Sequence, residues 1–211
     1  MLAEVEDFSR LILIRHPELA PSHADVAVGG GEATVSRRGR ERAVRWVEEL
    51  RGVELDAVFA ADVAQCQEPG AVLAEANALK VRPDPRLRDQ GMGAWQGRKW
   101  AEIAKAEPDA VRDFFGQFGD VAAPGGEALG AAVERVLAWW TEITPRALGQ
   151  TVAVVMAGNL VSGFAAAMLG MRLSRAVCLP LPHGAMGVLD VFGNGARVAP
   201  WNAGALADEG G

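Results

Sequence analysis

The sequence predicts an α/β protein: a three-layer sandwich with a mostly parallel central sheet and helices on both faces. Short apolar runs, LILI at 11–14, LDAVFAA at 55–61 and TVAVV at 151–155, are what strands buried on both faces require. Between these runs, apolar residues recur at helical spacing, and strands that alternate with helices build parallel sheets. Half of the 211 residues are hydrophobic, enough for one sizeable core. One domain over residues 1–211 is therefore expected, with its core at about 10–201.

Each element follows from local pattern. After the first strand, residues 17–35 form a long irregular segment containing Gly29, Gly30 and Gly31, which suggests a binding loop or a flexible cover. Ser36 reads as the N-cap of a helix to about Arg51, with Ala43, Val44, Val47 and Leu50 on one face. LDAVFAA is the second strand, and DVAQCQEPGAVLAEAN the next helix despite Pro69 and Gly70. A short strand is expected at 79–81, then a structured loop over 83–97 with two prolines and three glycines. A helical region from Trp100 to Phe118 is interrupted at Pro108. The PGGE turn at 124–127 opens a long helix to about Ile143, with Val133, Val136, Leu137 and Trp140 on one face. TVAVV leads through Met156, Ala157 and Gly158 into a helix from Leu160 to Leu169. MGVLDVF and ARVAPW, joined by Gly193-Asn194-Gly195, read as a hairpin.

Composition excludes several classes. A net charge of -6 without a basic stripe argues against a nucleic-acid partner. The arginines between Arg37 and Arg45 are interleaved with Glu41 and apolar residues, as on a solvated helix face. Cys66 and Cys178 make neither a disulfide framework nor a metal pattern, and their sparseness fits a reducing cytosol. MLAEVEDFSR is too polar for a signal peptide, and no run approaches a membrane span. A soluble cytoplasmic protein is expected, with no nucleic-acid or membrane partner.

The candidate site begins at LILIRHPE, residues 11–18. Arg15 and His16 end a buried strand, where charge is costly unless it is used. The carboxyl ends of strands in open α/β sheets are also where ligands bind. A bland alternative stays open, in which His16 caps the strand and bonds a nearby backbone group.

With LILIRH at 11–16, VSRRGRERA at 35–43, LRDQGMGAWQGR at 87–98, PGGEA at 124–128 and TVAVVMAGNLVSG at 151–163, the chain resembles a histidine phosphatase of the phosphoglycerate-mutase-like superfamily. The Arg-His-Pro opening and the LRDQGMGAWQGR segment are similar to the alpha-ribazole phosphatase branch, although Pro17 stands where many members have Gly. The resemblance implies a phosphomonoester hydrolase that works through a phosphohistidine and needs no metal or cofactor. Its partner would be a small-molecule phosphate ester or a related anion. Arg15 and His16 match the family's first Arg and its nucleophile, and Asp89 stands at the acid position, where Glu is usual.

Two family groups are replaced. The second Arg position, in AADVAQCQEP, is Gln65, and no Arg occurs between Asp56 and Leu79. The second His position, before Gly158, is Ala157, and no His occurs between His23 and His183. His183, in LPLPHG, is a candidate substitute ligand, with an ordinary turn residue as the alternative. His23, in the long loop, reads as solvated, with a lid residue as the alternative. The replacements imply weak, altered or lost hydrolysis. Two alternatives remain. One is an active phosphomonoesterase with a rebuilt pocket, its cation coming from Arg88, His183 or the 37–45 run. The other is a non-catalytic binder that presents Trp95, Trp100, Trp139 and Trp140, residues whose other role is core packing.

Overall fold

The apolar runs become the strands of one sheet. The computed structural model describes residues 8–203; residues 1–7, which carry most of the stretch read as too polar for a signal peptide, lie outside that range. The strands are β1 (Ser9–Arg15), β2 (Ala57–Ala61), β3 (Val81–Asp84), β4 (Thr151–Met156), β5 (Met186–Phe192) and β6 (Gly195–Ala203). Their order across the sheet is β3-β2-β4-β1-β5-β6. β1, β4, β2 and β3 pair in parallel, whereas β5 and β6 add as an antiparallel hairpin at the β1 side. Leu11 to Ile14 and Val152 to Met156 are almost wholly buried, as uninterrupted apolar runs demand.

The helices are α1 (Arg37–Glu49), α2 (Ala64–Ala76), α3 (Trp100–Ala106), α4 (Pro108–Gly116), α5 (Leu129–Ala147) and α6 (Gly158–Met168). Alternation along β2 shows which helix covers which face. An added Cβ at Gly70 of α2 would lie 3.4 Å from the Ala60 Cβ and 3.6 Å from Val155 Cγ2. The next residue back, Phe59, points to the opposite face and meets Trp139 of α5 edge-on, with ring centroids 5.2 Å apart. α1 packs with α2 and α6 packs with α5, which gives three layers.

This arrangement creates the crevice. β1 and β4 are adjacent and parallel, but the helix after β1 lies on one face and the helix after β4 on the other. Such a switch point leaves a gap at the carboxyl ends of the two strands. His16 and Ala157 are the first residues beyond those ends.

Several local details differ from the sequence expectation. In α1 the buried stripe is Gly39, Arg42, Ala43 and Trp46, while Val44 is 57% exposed. Trp46 turns inward because its indole N–H donates to the Gly184 carbonyl at 2.7 Å. β3 starts at Val81 rather than at Leu79. α5 runs past Pro145 to Ala147; the proline forgoes a bond to the carbonyl four residues back, so its effect falls on the C-terminal turns of the helix. Trp95, Trp139 and Trp140 are buried and form no exposed aromatic face. Trp95 anchors a small satellite core with Ala27, Met92, Ile103 and Ala123, against which Trp100 and Phe114 pack.

Residues 25–30 of the 17–35 loop are pinned to the 88–100 segment. Ala27 N–H donates to the Arg98 carbonyl at 2.9 Å, Gly30 N–H to Gln90 at 3.0 Å, and Trp100 N–H to Asp25 at 2.7 Å. Its three glycines serve close approach rather than a loose cover. A Cβ at Gly29 would lie 2.4 Å from Met92 Cγ, one at Gly30 2.8 Å from the Asp89 carbonyl oxygen, and one at Gly31 2.4 Å from Gln96 Nε2. Gly29 also takes a φ of 49°, which costs a side-chain-bearing residue.

Candidate active site

His16 leaves the sheet directly after β1, its N–H held by the Met156 carbonyl at 2.9 Å. Its ring is buried, and its Nδ1 lies 2.9 Å from the Pro17 carbonyl oxygen. A carbonyl can only accept, so Nδ1 carries the proton and Nε2 keeps its lone pair. Burial pushes the His16 pKa down to about 3, with Pro17 opposing the shift and His183 and Arg15 adding to it. The imidazole is therefore neutral at ordinary pH, in the tautomer a nucleophile or base needs.

Arg15 is the last residue of β1. Its Nη1 donates to the Leu181 carbonyl at 2.9 Å and its Nη2 to His183 Nε2 at 2.8 Å. Guanidinium only donates, so His183 Nε2 accepts, and the proton on Nδ1 faces the His16 carbonyl at 3.3 Å. Burial, followed by the Arg15 charge, lowers the His183 pKa. His183 thus stands beside the pair, its ring centroid 5.1 Å from that of His16, and holds Arg15 in place. Gly158 is required by the same packing: a Cβ there would lie 2.6 Å from Arg15 Nε and 2.7 Å from its Cδ.

A cavity of about 50 Å³ is lined by His16, Gln65, Asp89 and Ala157, with Leu19, Val28, Cys66 and others. Four of the sequence candidates therefore meet in one place. Asp89 accepts the Gln90 N–H on Oδ1 at 2.9 Å. Burial raises its carboxyl pKa to about 6, against the Gln90 amide and the charges of Arg15 and Arg135; Glu127 adds to the rise. An acid near 6 can carry a proton to a leaving group close to neutral pH.

Gln65 does not present its amide to the cavity as a free donor. Its Nε2 donates to the Gly31 carbonyl at 2.8 Å, and its Oε1 accepts from the Ala33 N–H at 2.9 Å. The glycine loop is latched by these two bonds. Glu32 adds a third tie, accepting the Ala64 N–H at the start of α2 at 2.8 Å. No arginine or lysine lines this cavity among the described residues.

Four of the other proposed cations are engaged elsewhere. Arg88 pairs with both oxygens of Asp62. In the 37–45 run, Arg37 pairs with Glu41 and Arg42 with Glu49, and Arg40 donates to Val35. His23 sits in a short turn of the covering loop and lines neither this cavity nor the larger one beside Arg15.

Sequence reasoning missed one positioning group. Arg135 of α5 grips Glu127 through two bonds of 2.7 Å, and it donates to the carbonyls of Arg86, Arg88 and Asp89 at 2.6, 3.1 and 3.4 Å. This one guanidinium fixes the segment that carries the acid. Glu127 belongs to the PGGEA turn, which was the available signal, although nothing local tied it to Arg135.

A neutral imidazole at an α/β switch point shares its cavity with a carboxylic acid of raised pKa, and an Arg stands beside it. The histidine phosphatase superfamily (branch 1) model matches residues 11–204, and the chain belongs to that family. Phosphoserine phosphatase 1 of Hydrogenobacter thermophilus is 28% identical over 166 residues, 79% of each chain. Glucosyl-3-phosphoglycerate phosphatase of Mycolicibacterium vanbaalenii is 27% identical over 79% of this chain and 76% of its own. Among solved structures, the alpha-ribazole phosphatase of Shigella flexneri superposes with a TM-score of 0.84 over 92% of this chain and 96% of its own, at 20% identity. No helix among the described residues is long and apolar enough to cross a membrane.

Proposed function

We propose that the protein is a phosphomonoesterase of weak or altered activity that retains the histidine nucleophile. The observation that carries this reading is the cavity itself. It is lined by His16, Asp89, Ala157 and a Gln65 whose amide is bound to the loop, the last two standing where the resemblance puts phosphate ligands. His16 Nε2 attacks phosphorus, the P–O bond to the leaving group breaks, and Asp89 protonates the departing oxygen. Water, deprotonated by the Asp89 carboxylate, then attacks the phosphohistidine and releases inorganic phosphate and the imidazole. Arg15, whose charge reaches both His16 and Asp89, is the guanidinium placed to steady the developing charge.

Losing one preorganised donor to a developing anion costs about 2.7–4 kcal/mol of barrier. Two such losses remove a factor of roughly 10⁴, although residues acting as a unit do not add. The names of several relatives, phosphatases acting on phosphoserine and glucosyl-3-phosphoglycerate beside phosphoglycerate mutases, support a small phosphate ester as the substrate class. The test is hydrolysis of an aryl phosphate by the wild-type protein and by His16→Ala, beside the double variant Gln65→Arg/Ala157→His. Slow turnover that vanishes in His16→Ala and rises at least tenfold in the folded double variant is expected. Turnover that persists without His16 would rule out the phosphohistidine route.

A further inference from the structure

Another cavity lies on the face of the sheet that α5 covers. It measures about 220 Å³ and shares no lining residue with the cavity of His16. Phe59 of β2 and Ile143 of α5 are half-buried and give it an apolar floor, with Trp139 and Val152 buried beneath. Its polar lining residues are Arg82, Asp84, Arg86, Glu142, Arg146 and Gln150. Arg82, Glu142 and Arg146 are exposed, so the charge stands at the rim.

That rim is not electrically balanced. Arg86 is shared between two acids: it donates to the two oxygens of Asp84 at 3.0 and 2.7 Å and to Glu142 Oε2 at 2.6 Å. Arg82 and Arg146 have no ion pair and no side-chain hydrogen bond among the described residues. Arg82 is held instead over the Phe59 ring, 5.5 Å from its centroid, which sets a cation directly beside the apolar floor. Below them the Trp139 indole N–H is buried with no acceptor, so no negative partner offsets the rim from that side. Three arginines against two carboxylates leave one positive charge in excess. The carboxyl end of α5 takes up part of the Arg146 charge, which favours a ligand with one negative charge over a ligand with two.

We infer that this cavity binds an aromatic carboxylate of a single ring, the ring against Phe59 and Ile143 and the carboxylate drawn by Arg82 and Arg146. The volume lies below the usual range for larger organic ligands and suits one ring. A planar guanidinium edge matches the two oxygens of a carboxylate. Inorganic phosphate has no apolar surface to lay on the floor, and its second charge goes unmatched. The site involves no step at His16, so it stands or falls apart from the hydrolytic reading.

NMR titration of the intact, isotope-labelled protein tests it with three probes: benzoate, its neutral amide benzamide, and inorganic phosphate. Benzoate is expected to shift the Trp139 indole N–H and the Val152 amide saturably, with an affinity at least tenfold above that of either other probe at these signals. In the double variant Arg82→Gln/Arg146→Gln the benzoate affinity should fall about tenfold, as the loss of two exposed charge contacts implies. Both side chains are exposed and unbonded, so the fold does not depend on them. Should that variant nevertheless not fold, the place of the wild-type shifts decides. Shifts confined to residues around His16, equal binding of benzoate and benzamide, phosphate binding that matches benzoate at Trp139 and Val152, or undiminished benzoate affinity in the folded double variant would each overturn the inference.

Discussion

Gln65→Met isolates the latch on the glycine loop. Methionine keeps the length and flexibility of glutamine but removes both amide groups, so it keeps the shape while deleting two hydrogen bonds. The two losses are unequal. Ala33 is 5% exposed, so its N–H, bonded to Gln65 Oε1 at 2.9 Å, is left without a partner away from water. The Gly31 carbonyl lies in a less buried stretch, and water can replace the Gln65 donor there. An unsatisfied buried donor costs about 1–3 kcal/mol, so about 2 kcal/mol is expected, nearly all of it from Ala33. For a chain of this size that corresponds to a fall in Tm of about 4–8 °C. Thermal unfolding measures the total, and amide hydrogen exchange locates it: the Ala33 N–H should exchange faster while amides of β1 and β4 stay protected. An unchanged Tm together with wild-type exchange at Ala33 would refute the assignment of Gln65 as the latch.

Other consequences are open to measurement. Gly158→Ala places a Cβ 2.6 Å from Arg15 Nε and must displace the guanidinium from Leu181 and His183; a loss of about 1–3 kcal/mol in chemical unfolding is expected, and a wild-type midpoint would refute the close packing. Stability should depend on pH through His16. The unfolded chain takes up this proton near 6.5, whereas the folded one does so only near 3, so stability is full above 6.5 and is lost as pH falls through that window. His16→Gln should flatten this slope in denaturant titrations at pH 4 to 7, and an unchanged slope would show that His16 is not depressed. If Asp89 is the proton donor, kcat should fall as pH rises through about 6, and Asp89→Asn should remove that limb and most of the turnover. A pH–rate profile identical in the Asn variant would assign the acid elsewhere.

Much of the fold was legible because burial on both faces of a parallel sheet writes itself as uninterrupted apolar runs. Leu11 to Ile14 and Val152 to Val155 could hardly be anything else, and a strand followed by a helix fixes where its carboxyl end lies. The meeting of His16, Gln65, Asp89 and Ala157 was likewise foreseeable, since each follows a strand end or stands in a segment recognisable by motif. Roles within the site were less legible. Gln65 contacts Gly31 and Ala33 across more than thirty residues, so its spacing says nothing about a latch. Arg135 gathers carbonyls that any sequence would supply, and a donor to backbone leaves no trace in the partner's identity. The glycine triplet is ambiguous for a related reason: glycine that permits freedom and glycine that permits contact look alike until the neighbouring chain is in place.

The grip of Arg135 has a consequence for what the 85–97 segment can become. That segment has only two short turns of its own regular structure, yet it carries Asp89, the proposed proton donor. Its placement is borrowed from α5, whose other face, with Val133, Val136 and Trp139, is embedded in the main core. Because three of the acceptors are carbonyls, side chains along the segment can be exchanged without loosening it, so long as the backbone path is kept. Arg135 has no such latitude. A lysine offers one nitrogen where four groups must be reached in different directions, so a conservative exchange far from the nucleophile would leave the acid's position undefined.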